Sequence, residues 1–222
     1  MSAPVVLVIA AGPGVSGSVA RLFARHGYRV ALLGAEEDVV QQVAQSISSD
    51  ESLVRWAVAD VTDVAVTTAA ITQLGEAFGQ VDVLHFNPSA FRAKDPLTLT
   101  VDELLTDVAL GVGALLTSVQ AARPFMAAGA RITVTGSMAA DQPSPGAATL
   151  GVQKAGVRNL VQSLDAHLSD DGIRAVSVTV RGVLASEGAF TPDRVAEAIF
   201  DASRQDVEKL ADRGAVRRVV AR

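Results

Sequence analysis

Short apolar runs alternate with longer amphipathic stretches along almost the whole chain. Most of the short runs are continuously apolar, which is typical of strands buried on both faces of a parallel sheet. The pattern predicts seven strands, at 5–10 (VVLVIA), 29–33, 53–59, 81–86, 131–135, 173–180 and 216–220. It predicts helices between them, near 15–26, 36–48, 63–79, 101–128, 149–169 and 192–212.

Capping signals support the helices. Thr100 and Glu103 have the spacing of a capping box, and Thr191-Pro192-Asp193 combines an N-cap with a first-turn proline and carboxylate. Strict alternation of strand and helix predicts an α/β fold: a doubly wound sheet of about seven parallel strands, in the order 3-2-1-4-5-6-7, with helices on both faces. No linker or repeat interrupts the pattern, so we expect one Rossmann-type domain over residues 1–222.

Composition narrows the function classes. Of 222 residues, 49% are hydrophobic and 19% are charged, and the net charge of −5 argues against a nucleic-acid partner. The chain has no cysteine and three widely spaced histidines, so no metal site is expected. We see no apolar run near the ~20 residues of a membrane span. No basic residue precedes the first apolar run, as one would in a signal peptide. A soluble, cytoplasmic protein without membrane contact is expected.

A glycine-rich turn follows the first strand. The segment AAGPGVSGSVA, residues 10–20, carries glycines at 12, 14 and 17 and leads into the first helix. Such a turn lets the backbone approach a pyrophosphate, which the free amides of the helix N-terminus then bind. The alternative is an ordinary glycine-rich turn. Its place after the first strand of a doubly wound sheet favours dinucleotide binding.

This turn begins a resemblance to the short-chain dehydrogenase/reductase superfamily that runs along nearly the whole chain. The family turn reads TGxxxGxG; here Ala10, Gly14 and Ser16 stand at its three glycine positions, and Gly12 and Gly17 are adjacent. The resemblance implies an NAD(P)-binding Rossmann fold. The residues that it implies for the pyrophosphate are Gly12, Gly14, Val15 and Ser16.

Two further segments resemble the family. ADVTD, residues 59–63, corresponds to the segment after the third strand, which implies that Asp60 and Val61 contact the adenine. Asp60 could equally be a turn or helix-cap residue. LHFNPSA, residues 84–90, stands where the family has NAG, so Asn87 is implied as a cofactor residue.

The end of the second strand bears on whether the cofactor is NAD or NADP. An acidic residue there binds a ribose 2′-hydroxyl, whereas arginine suits a 2′-phosphate. The segment LLGAEED has Gly34 and Ala35 at the discriminating positions. Glu36 or Glu37 could bind the ribose or be first-turn carboxylates of the next helix. Because no basic residue is present, NAD is favoured.

The catalytic positions are only partly filled. Ser137 matches the family serine that binds the substrate carbonyl, and Lys154 matches the lysine of YxxxK, which also binds the nicotinamide ribose. The family tyrosine gives a proton to the developing alkoxide, and the lysine lowers its pKa. Here the motif reads LGVQK, so Leu150 replaces that tyrosine. The family's assisting asparagine is also replaced, by Leu110 or Ala109.

Other groups are candidate proton donors. Asp141 and Gln142 follow Ser137, which could itself relay a proton from water. His85 lies in an apolar strand, which is typical of a core histidine. The only tyrosine, Tyr28, lies beside the second strand and on the wrong side of the fold.

The sequence therefore supports two hypotheses. One is an NAD(P)-dependent oxidoreductase on a small carbonyl or alcohol substrate, with a non-standard or impaired proton transfer. The alternative is a catalytically inactive dinucleotide-binding or regulatory protein of the same fold. The segment RGVLASEGAFTPD has Arg181 for the family proline and predicts only a small lid. Apolar residues on helices 101–128 and 149–169 predict a homodimer or homotetramer.

Overall fold

The computed structural model describes residues 2–204 and the backbone of residues 216–219. The strands form one sheet in the order β3-β2-β1-β4-β5-β6-β7, and each neighbouring pair is parallel. They are β1 (Val5–Ile9), β2 (Arg29–Gly34), β3 (Val54–Val58), β4 (Val83–Phe86), β5 (Arg131–Ser137), β6 (Arg174–Val180) and β7 (Val216–Val219). The predicted doubly wound order 3-2-1-4-5-6 is confirmed, and the backbone of β7 extends it beside β6.

Helices connect successive strands as predicted. They are α1 (Val15–Arg25), α2 (Glu37–Gln45), α3 (Val64–Phe78), α4 (Val101–Val108), α5 (Ala114–Ala122), α6 (Ala148–Leu168) and α7 (Pro192–Ser203). The capping box is present, since Thr100 Oγ1 accepts from the Glu103 amide and the Glu103 carboxylate accepts from the Thr100 amide. Thr191 caps α7, whose predicted continuation to 212 lies outside the described residues.

The sheet is buried on both faces, which explains the continuously apolar strands. Alternate residues of each strand contribute to two separate cores. One core lies against α3, α5 and α6 and includes Leu7, Leu84 and Ile132. The other lies against α1, α2 and α7 and includes Val6, Phe23 and Ile199.

The predicted helix 101–128 is not continuous. It consists of α4, a π-helical turn at Ala109–Gly113, α5 and a 3₁₀ turn at Arg123–Phe125. π-Helical turns of this kind concentrate at functional sites. The π turn contains Gly111, whose backbone lies so close to the Gln153 side chain that a Cβ would come within 2.5 Å of Oε1.

This segment also corrects the expectation that nothing in the chain approaches the length and apolarity of a membrane span. Val101–Phe125 qualifies on those two criteria, with a mean hydropathy of 1.5 in its most apolar window. Its N-terminal turns carry Glu103 and Asp107, both in ion pairs. Leu115 and Val119 on α5 pack into the core on the α3–α5–α6 face. The segment is therefore a core helix of the α/β fold.

Candidate functional site

The residues predicted for the site lie at one edge of the sheet. Because the strands are parallel, their carboxyl ends share that edge, and the order reverses between β1 and β4, where doubly wound sheets bind ligands. The glycine-rich turn follows β1, Asp60 follows β3, Asn87 follows β4 and Ser137 ends β5. The fold thus brings the predicted cofactor and catalytic residues to one crevice.

The glycine-rich turn has the features of a pyrophosphate site. Added Cβ atoms at Gly12 and Gly14 would meet nothing within 4 Å, so a ligand can approach the backbone there. Gly17 is different, because its Cβ would lie 2.6 Å from the Gly12 carbonyl oxygen. The close backbone contact therefore requires glycine at 17. The sequence motif predicts Gly17 only as a neighbour of the family's third glycine position.

The first turn of α1 supplies donors for this site. Gly14 caps the helix without a side-chain hydrogen bond, and the first amides of a helix have no intrahelical acceptor. The hydroxyl of Ser16 is buried and has no hydrogen-bond partner among the described residues. A phosphate at the helix N-terminus would satisfy these donors. The turn therefore fits a dinucleotide pyrophosphate.

Ala10, at the end of β1, has a left-handed backbone conformation with φ of +61°. Among the described residues it is the only non-glycine residue with positive φ. The resemblance implies that this is the family's first glycine position, and the alanine adopts a conformation that suits glycine. The strain costs roughly 1–2 kcal/mol.

We expect Ala10→Gly to stabilise the protein, by up to about 1 kcal/mol, because relief of strain exceeds the added entropy of the unfolded chain. Ala10→Val should instead destabilise it by more than about 1 kcal/mol, since a β-branched residue tolerates this conformation least. Urea unfolding of both variants checks the signs. If Ala10→Gly proved the less stable of the two, the strain interpretation would be wrong.

Asp60 is already engaged in a turn. Its Oδ1 accepts hydrogen bonds from the amide and hydroxyl of Thr62, at 2.9 and 2.7 Å, and these bonds lower the pKa of Asp60. The next carboxylate, Asp63, caps α3 through the Val66 amide. Asp60 is exposed at the crevice edge while Val61 is buried beneath it. The turn role is thus present, and the Asp60 side chain stays exposed after β3.

The end of β2 is acidic and has no room for a side chain at its last residue. A Cβ on Gly34 would lie 2.8 Å from the Cβ of Val40 and 3.2 Å from the Ala11 carbonyl oxygen. Glu36 occupies the N-cap position of α2 without a capping bond, and Glu37 and Asp38 lie in its first turn. These three carboxylates are exposed.

Lys154 is a buried cation on α6, with 5% of its surface exposed. Its Nζ donates a hydrogen bond to the carbonyl oxygen of Thr135, at 2.9 Å. Burial lowers the pKa of Lys154 to about 8. An ammonium this deeply buried destabilises the fold, and such groups concentrate at functional sites.

Lys154→Met should therefore stabilise the protein at pH 7, by roughly 1–3 kcal/mol. Below pH 8 the lysine is charged in both states, and the folded state bears the full cost. Between pH 8 and about 10.5 only the folded state has lost the proton, so wild-type stability rises relative to the variant. Urea unfolding of both proteins from pH 7 to 10 measures this difference. A difference that does not shrink as the pH rises would contradict the assignment.

Ser137 ends β5 at the crevice, and Leu150 lies in the first turn of α6. Ser137 is half-buried, its Oγ accepts from the Ala139 amide at 3.2 Å, and its Cα pairs with Val180 of β6. Leu150 is also half-buried and precedes Lys154 by one helical turn, so the two lie on the same side of α6. That side of α6 presents hydrocarbon and then an ammonium.

The other candidate proton donors are poorly suited to protonate a substrate in the crevice. Burial lowers the pKa of His85 to about 3, and its Nδ1 lies 3.0 Å from Thr133 Oγ1, so it is a neutral core histidine as predicted. The carboxylate of Asp141 is engaged by the guanidinium groups of Arg158 and Arg181. Gln142 is an exposed amide. Tyr28 packs on Phe23, in the core on the opposite face of the sheet from α6.

Comparison with known proteins identifies the family of this chain. The short chain dehydrogenase family model matches residues 4–189. The chain belongs to the short chain dehydrogenase family. Sulfoacetaldehyde reductase 2 of Chromohalobacter salexigens is 29% identical over 210 residues, covering 93% of this chain and 82% of that protein. Short-chain dehydrogenase reductase 4 of Arabidopsis thaliana is 32% identical over 184 residues, covering 81% and 61%.

Solved structures of the same family share the fold. A short-chain dehydrogenase/reductase from Serratia marcescens superimposes with a TM-score of 0.86 at 22% identity, over 97% of this chain and 96% of that one. A short chain dehydrogenase from Burkholderia cenocepacia in complex with NADP gives 0.81 at 26% identity, over 89% of each chain. The predicted superfamily is confirmed.

Gln153 lies beside the candidate site, and the sequence motifs do not predict it. Its side chain is fully buried, directly before Lys154. Oε1 accepts from the Ala90 amide at 2.9 Å, and Nε2 donates to the carbonyl oxygens of Ala90 and Thr149, both at 3.2 Å. The amide fills the space left by Gly111 in the π turn. Gln153 thereby fastens the segment after β4 to the helix that carries Lys154.

Ion pairs fasten the same segment to α4. Arg92 makes a bidentate pair with the buried Asp107, with both distances 2.9 Å, and Lys94 Nζ lies 2.6 Å from Glu103 Oε1. Lys94 also bonds to α6, since its carbonyl oxygen accepts from the Ala148 amide at 3.2 Å. Residues 87–100 are therefore held on two sides beside the crevice.

Proposed function

We propose that this protein is an NAD(P)-dependent oxidoreductase that acts on a small carbonyl or alcohol substrate and whose proton transfer does not use a tyrosine. Membership of the short chain dehydrogenase family supports the reaction class. The observation that carries the proposal is Lys154, a buried ammonium maintained at cost on the crevice side of α6. A protein that had lost its chemistry would gain stability by replacing it.

We assign the cofactor to the crevice between β1 and β4, within a single dinucleotide-binding domain of residues 1–222. Gly12, Gly14, Val15 and Ser16 would hold the pyrophosphate through backbone amides and the buried hydroxyl. Asp60 and Val61 would border the adenine, and Asn87 and Lys154 the nicotinamide ribose. When bound, the dinucleotide supplies or accepts the hydride.

Ser137 and Lys154 are the proposed catalytic residues. Ser137 would hold the substrate oxygen by a hydrogen bond and pass it a proton from water. Lys154 would stabilise the developing negative charge from its buried position. Leu150 has no exchangeable proton, so we expect slow turnover compared with a tyrosine-containing site.

The second candidate is a dinucleotide-binding or regulatory protein without reductase activity. Leu150 at the tyrosine position favours it. So does the π turn, where Ala109 and Leu110 have no side chain that can transfer a proton. In this case the dinucleotide would bind but no carbonyl would be reduced.

Activity assays separate the two candidates. Purified protein is incubated with NADH or NADPH and a panel of small aldehydes and ketones, including sulfoacetaldehyde, the aldehyde in the name of one relative. We expect slow oxidation of the nucleotide that is lost in Lys154→Ala. Equal rates for wild type and Lys154→Ala, with the nucleotide bound, would refute the oxidoreductase and favour the regulatory protein.

For the cofactor we propose a preference for NAD. Glu36, Glu37 and Asp38 place negative charge at the ribose end, which repels a 2′-phosphate. The Burkholderia cenocepacia relative is in complex with NADP, so NADP binding is the alternative. Calorimetric titration with all four nucleotides should give roughly tenfold tighter binding for NADH than for NADPH. Tighter NADPH binding would reverse the proposal.

We further propose a cytoplasmic homodimer or homotetramer. Val101, Leu105 and Leu116 are exposed on α4 and α5, and Val152 is exposed on α6. A second copy of the chain would cover this apolar surface, whereas Leu115 and Val157 on the same helices already pack against the sheet. Sedimentation velocity of wild type and Leu105→Glu tests the assembly.

A further inference from the structure

Three charged side chains meet just beyond Ser137. Asp141 follows the 3₁₀ turn Met138–Ala140 that starts directly after Ser137. Both terminal nitrogens of Arg158 contact its carboxylate, and Arg181 Nη2 lies 3.2 Å from its Oδ2. We name Asp141, Arg158 and Arg181 the mouth cluster. It has two positive charges and one negative charge.

The mouth cluster adjoins the place where the substrate oxygen would be held. Val180, the last residue of β6, pairs in register with Ser137 of β5, and neighbouring strands lie about 4.8 Å apart. Arg181 is the next residue. Its backbone is therefore one residue beyond the partner of Ser137, and its guanidinium reaches the loop that Ser137 begins.

One hydrogen-bond donor of Arg181 has no acceptor among the described residues. That donor is Nε–H, which is buried. A buried donor on a charged group without an acceptor is unfavourable, and an anion that accepts from Nε and Nη together gives the preferred bidentate geometry. Arg158 and Arg181 keep 21% and 28% of their side-chain surfaces exposed, so the cluster opens to solvent.

The segment that follows Arg181 is only partly packed. Val183 is 87% exposed, and Phe190 packs against Gly182 so closely that a Cβ there would overlap its ring. The Ala185 amide donates to the Phe190 carbonyl oxygen at 3.2 Å, which closes the segment on itself.

We infer that the mouth cluster binds the acidic group of a small anionic substrate, a carboxylate or sulfonate carried a short distance from the carbonyl. Arg181 holds the anion, and Arg158 maintains the excess of positive charge. The inference rests on the oxidoreductase function proposed above, and it names the substrate class of that site.

A purely structural ion-pair cluster predicts the opposite response to one substitution. If the cluster only fastens the loop to α6, Asp141→Asn weakens the loop and any ligand bound near it. If the cluster binds an anion, Asp141→Asn removes the competing carboxylate and binding becomes tighter. The sign of the Asp141→Asn effect therefore distinguishes the two.

The binding experiment needs no turnover. The NADH-loaded protein is titrated with 4-hydroxybutanoate and with 1,4-butanediol, which has a hydroxymethyl group in place of the carboxylate. We expect wild type to bind the carboxylate at least about tenfold more tightly, a preference that Arg181→Met removes, Arg181→Lys partly retains and Asp141→Asn increases. Arg123→Met, which breaks the exposed pair with Asp171, is the matched control and should leave binding unchanged.

A kinetic experiment uses succinic semialdehyde and pentanal, which differ in the acidic group. Arg181→Met should raise KM for the anionic aldehyde about tenfold and leave pentanal unchanged, with folding checked by circular dichroism. Equal effects on both aldehydes, or no effect, would overturn the inference. Arg181-dependent carboxylate binding without reduction of any aldehyde would support the site and refute the oxidoreductase. Reduction of pentanal without a preference for the carboxylate would support the oxidoreductase and refute the anion site.

Discussion

Leu150→Tyr is expected to raise the rate of carbonyl reduction by about 10²-fold or more, the contribution typical of a positioned general acid. Leu150 lies one helical turn before Lys154, so a tyrosine there would place its phenol beside the buried ammonium. A neighbouring positive charge lowers a phenol pKa from about 10 and makes it a better proton donor near neutral pH. The rate of NADH oxidation with the aldehyde panel measures the gain.

Leu150→Phe is the matched control, because it adds the ring without the hydroxyl. We expect no gain from phenylalanine, and a pH profile for the tyrosine variant with a new ionisation below 10. Adding Lys154→Met to Leu150→Tyr should abolish most of the gain. If phenylalanine accelerates the reaction as much as tyrosine, ring packing rather than proton transfer limits the rate.

Local pattern was sufficient to predict most of the fold. Apolar strands such as β1 and N-caps such as Thr100 and Thr191 depend on residues close in sequence, so the pattern predicts them. Strict alternation of strand and helix then predicts the strand order. The break in helix 101–128 did not follow. It depends on Gly111 meeting Gln153 from another helix, a contact between residues far apart in sequence.

Some residues of the candidate site are likewise predicted by sequence motifs, whereas others are recognised only in the fold. Motif spacing predicts Ser137, Lys154 and the glycine-rich turn as site residues, because the resemblance rests on distances along the chain. Gln153 was missed although it adjoins Lys154: a glutamine on a helix is usually solvated, and only the fold shows it fully buried against Ala90. Arg181 was noted as a departure from proline, but its role depends on a contact with Asp141.

The helix that carries Lys154 depends on one buried ion pair. Asp165 on α6 accepts from Nε and Nη2 of Arg174 on β6, both at 2.7 Å, and from the Ala175 amide at 2.8 Å. These bonds raise the pKa of Arg174, so the guanidinium stays charged. Asp165→Ala would leave that buried charge without its carboxylate, and we expect a loss of about 3–5 kcal/mol in the free energy of unfolding.

The pair between Arg123 and Asp171 is the control. Its 2.7 Å distance is the same, but 39% and 53% of the two side-chain surfaces are exposed. Asp171→Ala should cost less than about 1 kcal/mol, because solvent screens an exposed pair. Urea unfolding of both variants compares them, and similar losses would show that burial is not what makes Asp165 important. Asp165→Leu with Arg174→Met, which removes both charges, should recover much of the stability. If that double variant still loses dinucleotide binding, the ion pair serves to position α6, and with it Lys154, against the sheet.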